Sequence, residues 1–314
     1  MLLFFLALLL GLVALTWSAD RFVASAAQVA QRLGWSSFVI GVLIIGFGTS
    51  APELMVSAMA ALSGNPALAL GNGYGSNIAN IGLVLALVAL LAPVSFHGSL
   101  RRVQLPMLLL VTLVVMLLLL NGQLSRWDAL LHLLLFVLMM YLSLRFGGEQ
   151  GEPELPESAS ASAPMTAAWL WLVFALLLLL ASSRLLVWGA VGLATAFGVS
   201  ELIIGLTLVA VGTSLPELAS ALAAIKQKQQ DMVLGNIMGS AFFNMLAVVG
   251  LAALISPLSF DSVVLTRDWS AMFVFTLLLW LISWRKAPQL SCLLAGGLLL
   301  GYVAYLALLW WPDL

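Results

Sequence analysis

Two glutamates stand out as residues able to do chemistry. Glu53 closes the segment Gly48-Thr49-Ser50-Ala51-Pro52-Glu53, and Glu217 closes Gly212-Thr213-Ser214-Leu215-Pro216-Glu217, 164 residues later. Each lies about 19 residues into an apolar stretch of roughly 29, far from either end. A carboxylate at such depth in a membrane is disfavoured by roughly 3 kcal/mol on insertion scales. No Lys or Arg stands at comparable depth in either half, so a bound cation or a proton is the expected counter-charge. The alternative is a protonated glutamate bridging two helices, which accounts for one buried Glu more readily than for two at equivalent positions.

The neighbouring residues suit a cation. Pro52 and Pro216 lack a backbone N–H, and each ring displaces the carbonyl four residues back, at Gly48 and Gly212. These four residues form the expected hinges, where a broken helix releases carbonyls for coordination. Irregular backbone at that depth is tolerated only beside a cavity or protein. Thr49 and Ser50 precede Glu53 by four and three residues and share its helical face, as Thr213 and Ser214 do for Glu217. Asn72, Ser76 and Asn80 recur at helical spacing, and Asn236, Ser240 and Asn244 repeat them. Such polar stripes can also be helix–helix glue. The donors are all oxygen, which favours hard cations such as Ca²⁺ and Na⁺ over softer metals. Two carboxylates neutralise one Ca²⁺, two Na⁺ or two H⁺. Competition for one charged site is the simplest physical basis for antiport.

The elements that must hold these residues follow from composition and repetition. Hydrophobic residues make up 63% of the 314 and charged ones 8%, the balance of a polytopic membrane protein with the lipid bilayer as its solvent. Between Gly34 and Phe96 more than a third of positions recur 164 residues on, without a gap; this is an internal duplication. Spans are expected at about 2–19, 34–62, 67–92, 103–120 and 127–144, then at 167–188, 198–225, 231–255, 269–284 and 289–311. The reading is an all-α membrane protein of ten transmembrane helices, with helices two and seven broken. Five spans per half invert the second copy, so residues 1–146 and 167–314 form two inverted repeats with the site between them at the midplane. Residues 147–166, rich in Gly, Pro, Ser, Ala and Glu, read as a flexible linker.

Nine Lys and Arg residues fall on the side reached by the odd-numbered spans and three (Arg126, Arg184 and Arg267) on the other. That bias places the linker in the cytoplasm and both termini outside. Cys292 is the single cysteine, and His97 and His132 are isolated; none of them makes a metal site or disulfide. No cofactor and no nucleic-acid partner is expected, and the sequence leaves the oligomeric state open.

The paired Gly-Thr-Ser-x-Pro-Glu and Gly-Asn-x-x-Gly-Ser-x-x-x-Asn segments resemble the two alpha repeats of the calcium/cation antiporter superfamily, which includes the sodium/calcium exchangers. The nearest likeness is to its YrbG-like bacterial inner-membrane branch. The resemblance covers the whole chain. It implies alternating access, with spans one and six sliding against the other eight. It also implies that Glu53 and Glu217 hold Ca²⁺ with Thr49 and Thr213. Flanking Na⁺ sites would use Thr49, Ser50, Ser76 and the Gly46 carbonyl on one side, and Thr213, Ser214, Ser240 and the Ala210 carbonyl on the other. One departure concerns the charge: well-studied exchangers of this kind carry an Asp where this chain has Asn244, opposite Asn80. Without a third carboxylate, Na⁺ and H⁺ both stay open as the driving ion. The residues leave two further classes to weigh, a passive cation channel and an intramembrane enzyme using the glutamates as acid and base. No nucleophile, metal triad or phosphate loop accompanies the second, and the reading is not an enzyme.

Overall fold

A computed structural model describes residues 1–64, 66–96, 98–147, 164–198 and 210–310. Most of the linker expected at 147–166, the first part of the seventh span (199–209), Asn65 and His97 lie outside these. The described chain is mostly helical. We number the helices α1 (Leu2–Leu33), α2 (Ser37–Thr49), α3 (Ala51–Leu62), α4 (Ala67–Leu91), α5 (Leu100–Leu119), α6 (Arg126–Phe146), α7 (Met165–Ala196), α8 (Ala210–Thr213), α9 (Leu215–Lys226), α10 (Gln230–Ile255), α11 (Val264–Ser283) and α12 (Cys292–Trp310). Among the described residues eight single helices are long and apolar enough to cross a membrane, and α2 with α3 forms a ninth candidate bent by 43°. Leu9, Leu134, Leu170 and Leu300 are exposed on the outer helix faces. Backbone polar groups there are satisfied within each helix, as hydrocarbon requires.

Two expectations need correction. The first and sixth spans do not stop at Ala19 and residue 188: α1 and α7 each run for 32 residues. In α1 charged residues interrupt the apolar run but not the helix, because partners accept them. Asp20 Oδ2 meets Lys226 Nζ at 2.7 Å, and Arg21 lies over the rings of Trp17 and Trp171. α7 also starts at Met165, inside the expected linker.

α1 and α7 pack along their length and run antiparallel. Phe4 meets Trp188 near one end, and Trp17 meets Trp171 near the other. Small residues allow the approach: a Cβ on Gly11 would lie 3.0 Å from Leu186 N, and one on Gly189 would lie 2.9 Å from Phe4 O.

α4 and α10, the most deeply buried spans, form the centre. Each contains a π-helical turn, Asn80–Leu85 in α4 and Phe243–Val248 in α10. A second pair stands at Leu100–Gln104 and Val264–Trp269. Both pairs keep the repeat offset to within a residue. Such turns are rare and gather at functional sites. Two short antiparallel ladders join the halves: β1 (Val94–Ser95) with β4 (Gln289–Leu290), and β2 (Gln123–Leu124) with β3 (Leu258–Ser259).

Candidate cation site

Both glutamates sit at breaks of the same geometry. Ser50 ends α2 and opens α3 at φ −85°, ψ 7°; Ser214 stands between α8 and α9 at φ −88°, ψ 5°. Neither angle pair is helical, and Pro52 and Pro216 each occupy the first turn of the helix that follows. Glu53 and Glu217 lie in those same first turns, where the positive end of the helix dipole favours a carboxylate. The hinge glycines are packed. A Cβ on Gly48 would lie 3.1 Å from Leu176 of α7, and the Gly212 carbonyl accepts a hydrogen bond from Ser183 Oγ of α7 at 3.3 Å.

The two halves meet through these residues. Ser50 Oγ–H donates to Glu217 Oε1 at 2.9 Å and lies 3.0 Å from Ser240 Oγ. Ser240 Oγ reaches the Gly46 carbonyl at 3.3 Å. Thr49 Oγ1 donates to the Ile45 carbonyl at 3.0 Å and lies 3.4 Å from Asn236 Oδ1. Asn72 Nδ2 donates to the Glu53 carbonyl (3.0 Å) and to Ser57 Oγ (2.9 Å); Asn236 Nδ2 reaches the Glu217 carbonyl (3.4 Å) and Ser220 Oγ (3.3 Å). These two asparagines pin the main chain beneath the carboxylates.

What remains without a partner defines the chemistry. Glu53 and Glu217 are 0% and 1% exposed. Both carboxylate oxygens of Glu53 and Oε2 of Glu217 lack a hydrogen-bond partner, as do both amide atoms of Asn80 and of Asn244. Ser50, three residues before Glu53, hydrogen-bonds Glu217, so the two motifs meet at this point. Buried polar atoms are nearly always satisfied, and an uncompensated buried charge is strongly destabilising. Unpartnered oxygens on two carboxylates and two amides therefore fit a hard cation. Among the described residues no cluster of three His, Cys, Asp or Glu side chains exists, so this donor set differs from a structural metal cage.

The remaining expected site residues divide by exposure. Asn236 and Ser240 are fully enclosed, whereas their equivalents Asn72 and Ser76 line a cavity of about 390 Å³ together with Thr213. Ser214 is buried. Ala210 begins α8, and its side chain lies outside the described residues. Ser57, Ser220 and Asn77 were not foreseen. Asn77 Nδ2 holds the Ala241 carbonyl of α10 at 3.1 Å. Ser57 and Ser220 stand four and three residues after their glutamates, a helical spacing that could have marked them.

The sodium/calcium exchanger protein family model matches residues 3–145 and 167–311. The chain belongs to that family. It is 44% identical over 308 residues to the putative antiporter CaxA of Alkalimonas amylolytica, covering 96% of this chain and 97% of that one. It is 38% identical over 315 residues to the inner membrane protein YrbG of Escherichia coli, covering 97% and 96%. Among solved structures it is similar to the sodium-calcium exchanger NCX_Mj, with a TM-score of 0.85, 31% identity and 98% of each chain covered. As a member of the exchanger family it is a multi-pass membrane protein and a cation antiporter, and the calcium/cation antiporter likeness read from its motifs is that family.

Proposed function

We propose that the chain exchanges one Ca²⁺ for two monovalent cations, Na⁺ or H⁺, by alternating access to the site between Glu53 and Glu217. The observation that carries this reading is the pair of buried carboxylates with unpartnered oxygens, together with the buried, unpartnered amides of Asn80 and Asn244. A site of charge −2 in a low-dielectric interior is neutral with one divalent or two monovalent ions, and only neutral loading crosses cheaply. Thr49, Ser50, Ser76, Gly46 and their equivalents Thr213, Ser214, Ser240 and Ala210 supply further oxygens. Asn80 and Asn244 complete the shell without adding charge, so electroneutral exchange is favoured over a higher Na⁺ count.

The architecture that serves this exchange is ten spans in two inverted five-helix repeats. Two features support it. Equivalent helices α1 and α7 run antiparallel. Strands β1 and β3 are equivalents 164 residues apart, yet β1 joins β4 and β3 joins β2. Even numbers of spans separate the two strands of each ladder, while five separate β1 from β3, so the equivalents face opposite sides. With the Lys and Arg bias, the 147–166 linker is cytoplasmic, both termini are outside, and the cavity at Asn72, Ser76 and Thr213 opens outward. The enclosed half at Asn236 and Ser240 is then the inward gate. Access from one side at a time separates an exchanger from a channel.

The test is radioactive Ca²⁺ uptake into proteoliposomes loaded either with Na⁺ or with Na⁺-free acid buffer. Uptake driven by outward Na⁺ is expected if Na⁺ is the partner, and uptake driven only by the proton gradient if H⁺ is. Folded protein that takes up Ca²⁺ under neither gradient contradicts the reading.

A further inference from the structure

The outward cavity carries a charged group of its own, away from the glutamates. Its lining includes Arg267, Asp268, Tyr302 and Tyr305 as well as Asn72, Ser76 and Thr213. Asp268 is 6% exposed. Arg267 Nε donates to its Oδ1 at 2.8 Å and Arg267 Nη2 to its Oδ2 at 3.1 Å, while Tyr305 Oη–H donates to Oδ1 at 3.1 Å. The arginine is the more exposed partner, at 31% of its side chain against 9% for the aspartate. Asp268 is the carboxylate, and Arg267 the cation, among the described residues that line this cavity.

We propose that Asp268 is the first protein contact for an incoming hard cation on the outward path, and that Arg267 is the internal cation it must displace. The assignment rests on the exchanger reading above. Three considerations carry it. A carboxylate held by a flexible, partly exposed guanidinium can exchange that partner for a metal ion, whereas the buried glutamates further in have no protein cation to give up. Tyr305 stays hydrogen-bonded to the carboxylate when Arg267 swings away, so the carboxylate remains oriented into the cavity. The pair also sits in the π-helical turn Val264–Trp269, a local irregularity of the kind found at functional positions.

The device is one-sided. At the equivalent positions of the first half stand Val103 and Gln104. Gln104 is fully buried, and its Oε1 accepts from Ser143 Oγ at 3.0 Å. That pair is neutral, so the inward path lacks this element. The outward face is thereby given its own setting of cation affinity, separate from that of the shared central site.

The experiment compares the wild type with Asp268→Asn, Arg267→Gln and the double variant in vesicles sorted by orientation. Ca²⁺ dependence is measured with each face exposed in turn. Asp268→Asn, which leaves Arg267 uncompensated beside the path, is expected to raise the half-saturating Ca²⁺ concentration about tenfold on the cavity face, the order expected for one unit charge at an effective dielectric near ~20. Arg267→Gln is expected to lower it on that face. The double variant, in which no buried charge is stranded, is expected to lose the gain seen in Arg267→Gln because the contact itself is gone, and it serves if Asp268→Asn does not fold. The opposite face keeps its wild-type value throughout. Shifts of the same sign in both single variants, equal shifts at both faces, or no shift overturn the proposal while wild-type exchange stands. Absence of exchange in wild-type vesicles sinks the exchanger reading, and this assignment with it.

Discussion

Glu53→Gln and Glu217→Gln, tested separately, are each expected to reduce Ca²⁺ uptake at least ~100-fold, since a close charge–charge contact at intermediate dielectric is worth about 4 kcal/mol. Glutamine keeps the shape and leaves an oxygen in place, so the loss isolates the charge. The same substitutions carry a second expectation of opposite sign. Both oxygens of Glu53 and one of Glu217 are buried without a protein partner, and removing such a charge relieves an unfavourable burial. In ion-free detergent solution the thermal unfolding of each variant should therefore occur at or above the wild-type temperature. Tryptophan fluorescence on heating measures this directly. A variant that loses uptake and also melts early would point to a structural role for that glutamate.

The second large effect is expected from backbone packing. In α10, a Cβ on Gly239 would lie 2.8 Å from Val42 Cα and would also strike the Val42 carbonyl oxygen; one on Gly235 would lie 2.9 Å from Gly41 Cα. Gly46 of α2 is held equally close to α10, with Ser240 N 2.9 Å from its ideal Cβ. These obstacles are main chain, which cannot swing aside as a flexible side chain can. Gly239→Ala should thus force α2 and α10 apart, at a cost of about 1–3 kcal/mol for overpacking. It should also separate Ser240 from Ser50 and reduce uptake severely. Gly297→Ala, at an exposed position of α12, should fold and transport close to the wild type. Parallel melting and uptake measurements on the two variants decide the matter, and equal sensitivity at both positions would contradict it.

Much of the site was legible because the duplication singles it out. A lone buried Glu in an apolar stretch has several explanations. Two of them, each preceded by Gly-Thr-Ser and Pro, point to a shared ion, and the breaks at Ser50 and Ser214 fall within those motifs. Asn80 and Asn244 were legible for the same reason. The full length of α1 was not, because hydropathy stops at Asp20 and Arg21 while the helix continues to Leu33. The ion pair with Lys226 and the ring of Trp171 come from distant parts of the chain, and no local pattern announces them. The π-helical turns are equally silent, since one extra residue in a turn leaves composition and apolar spacing almost unchanged. Arg267 and Asp268 lie just outside the ninth span expected from the sequence; only the fold brings Tyr305 and the cavity to them.

With two carboxylates, the proposed site trades one divalent ion for two monovalent ones. The most direct test measures Ca²⁺ entry and driving-ion exit together, in proteoliposomes whose membrane potential is clamped at several values. Two monovalent ions should leave for each Ca²⁺ that enters, at a rate that does not change with potential. Ca²⁺ entry without counter-flux, or a ratio of three with entry that follows the potential, would contradict it.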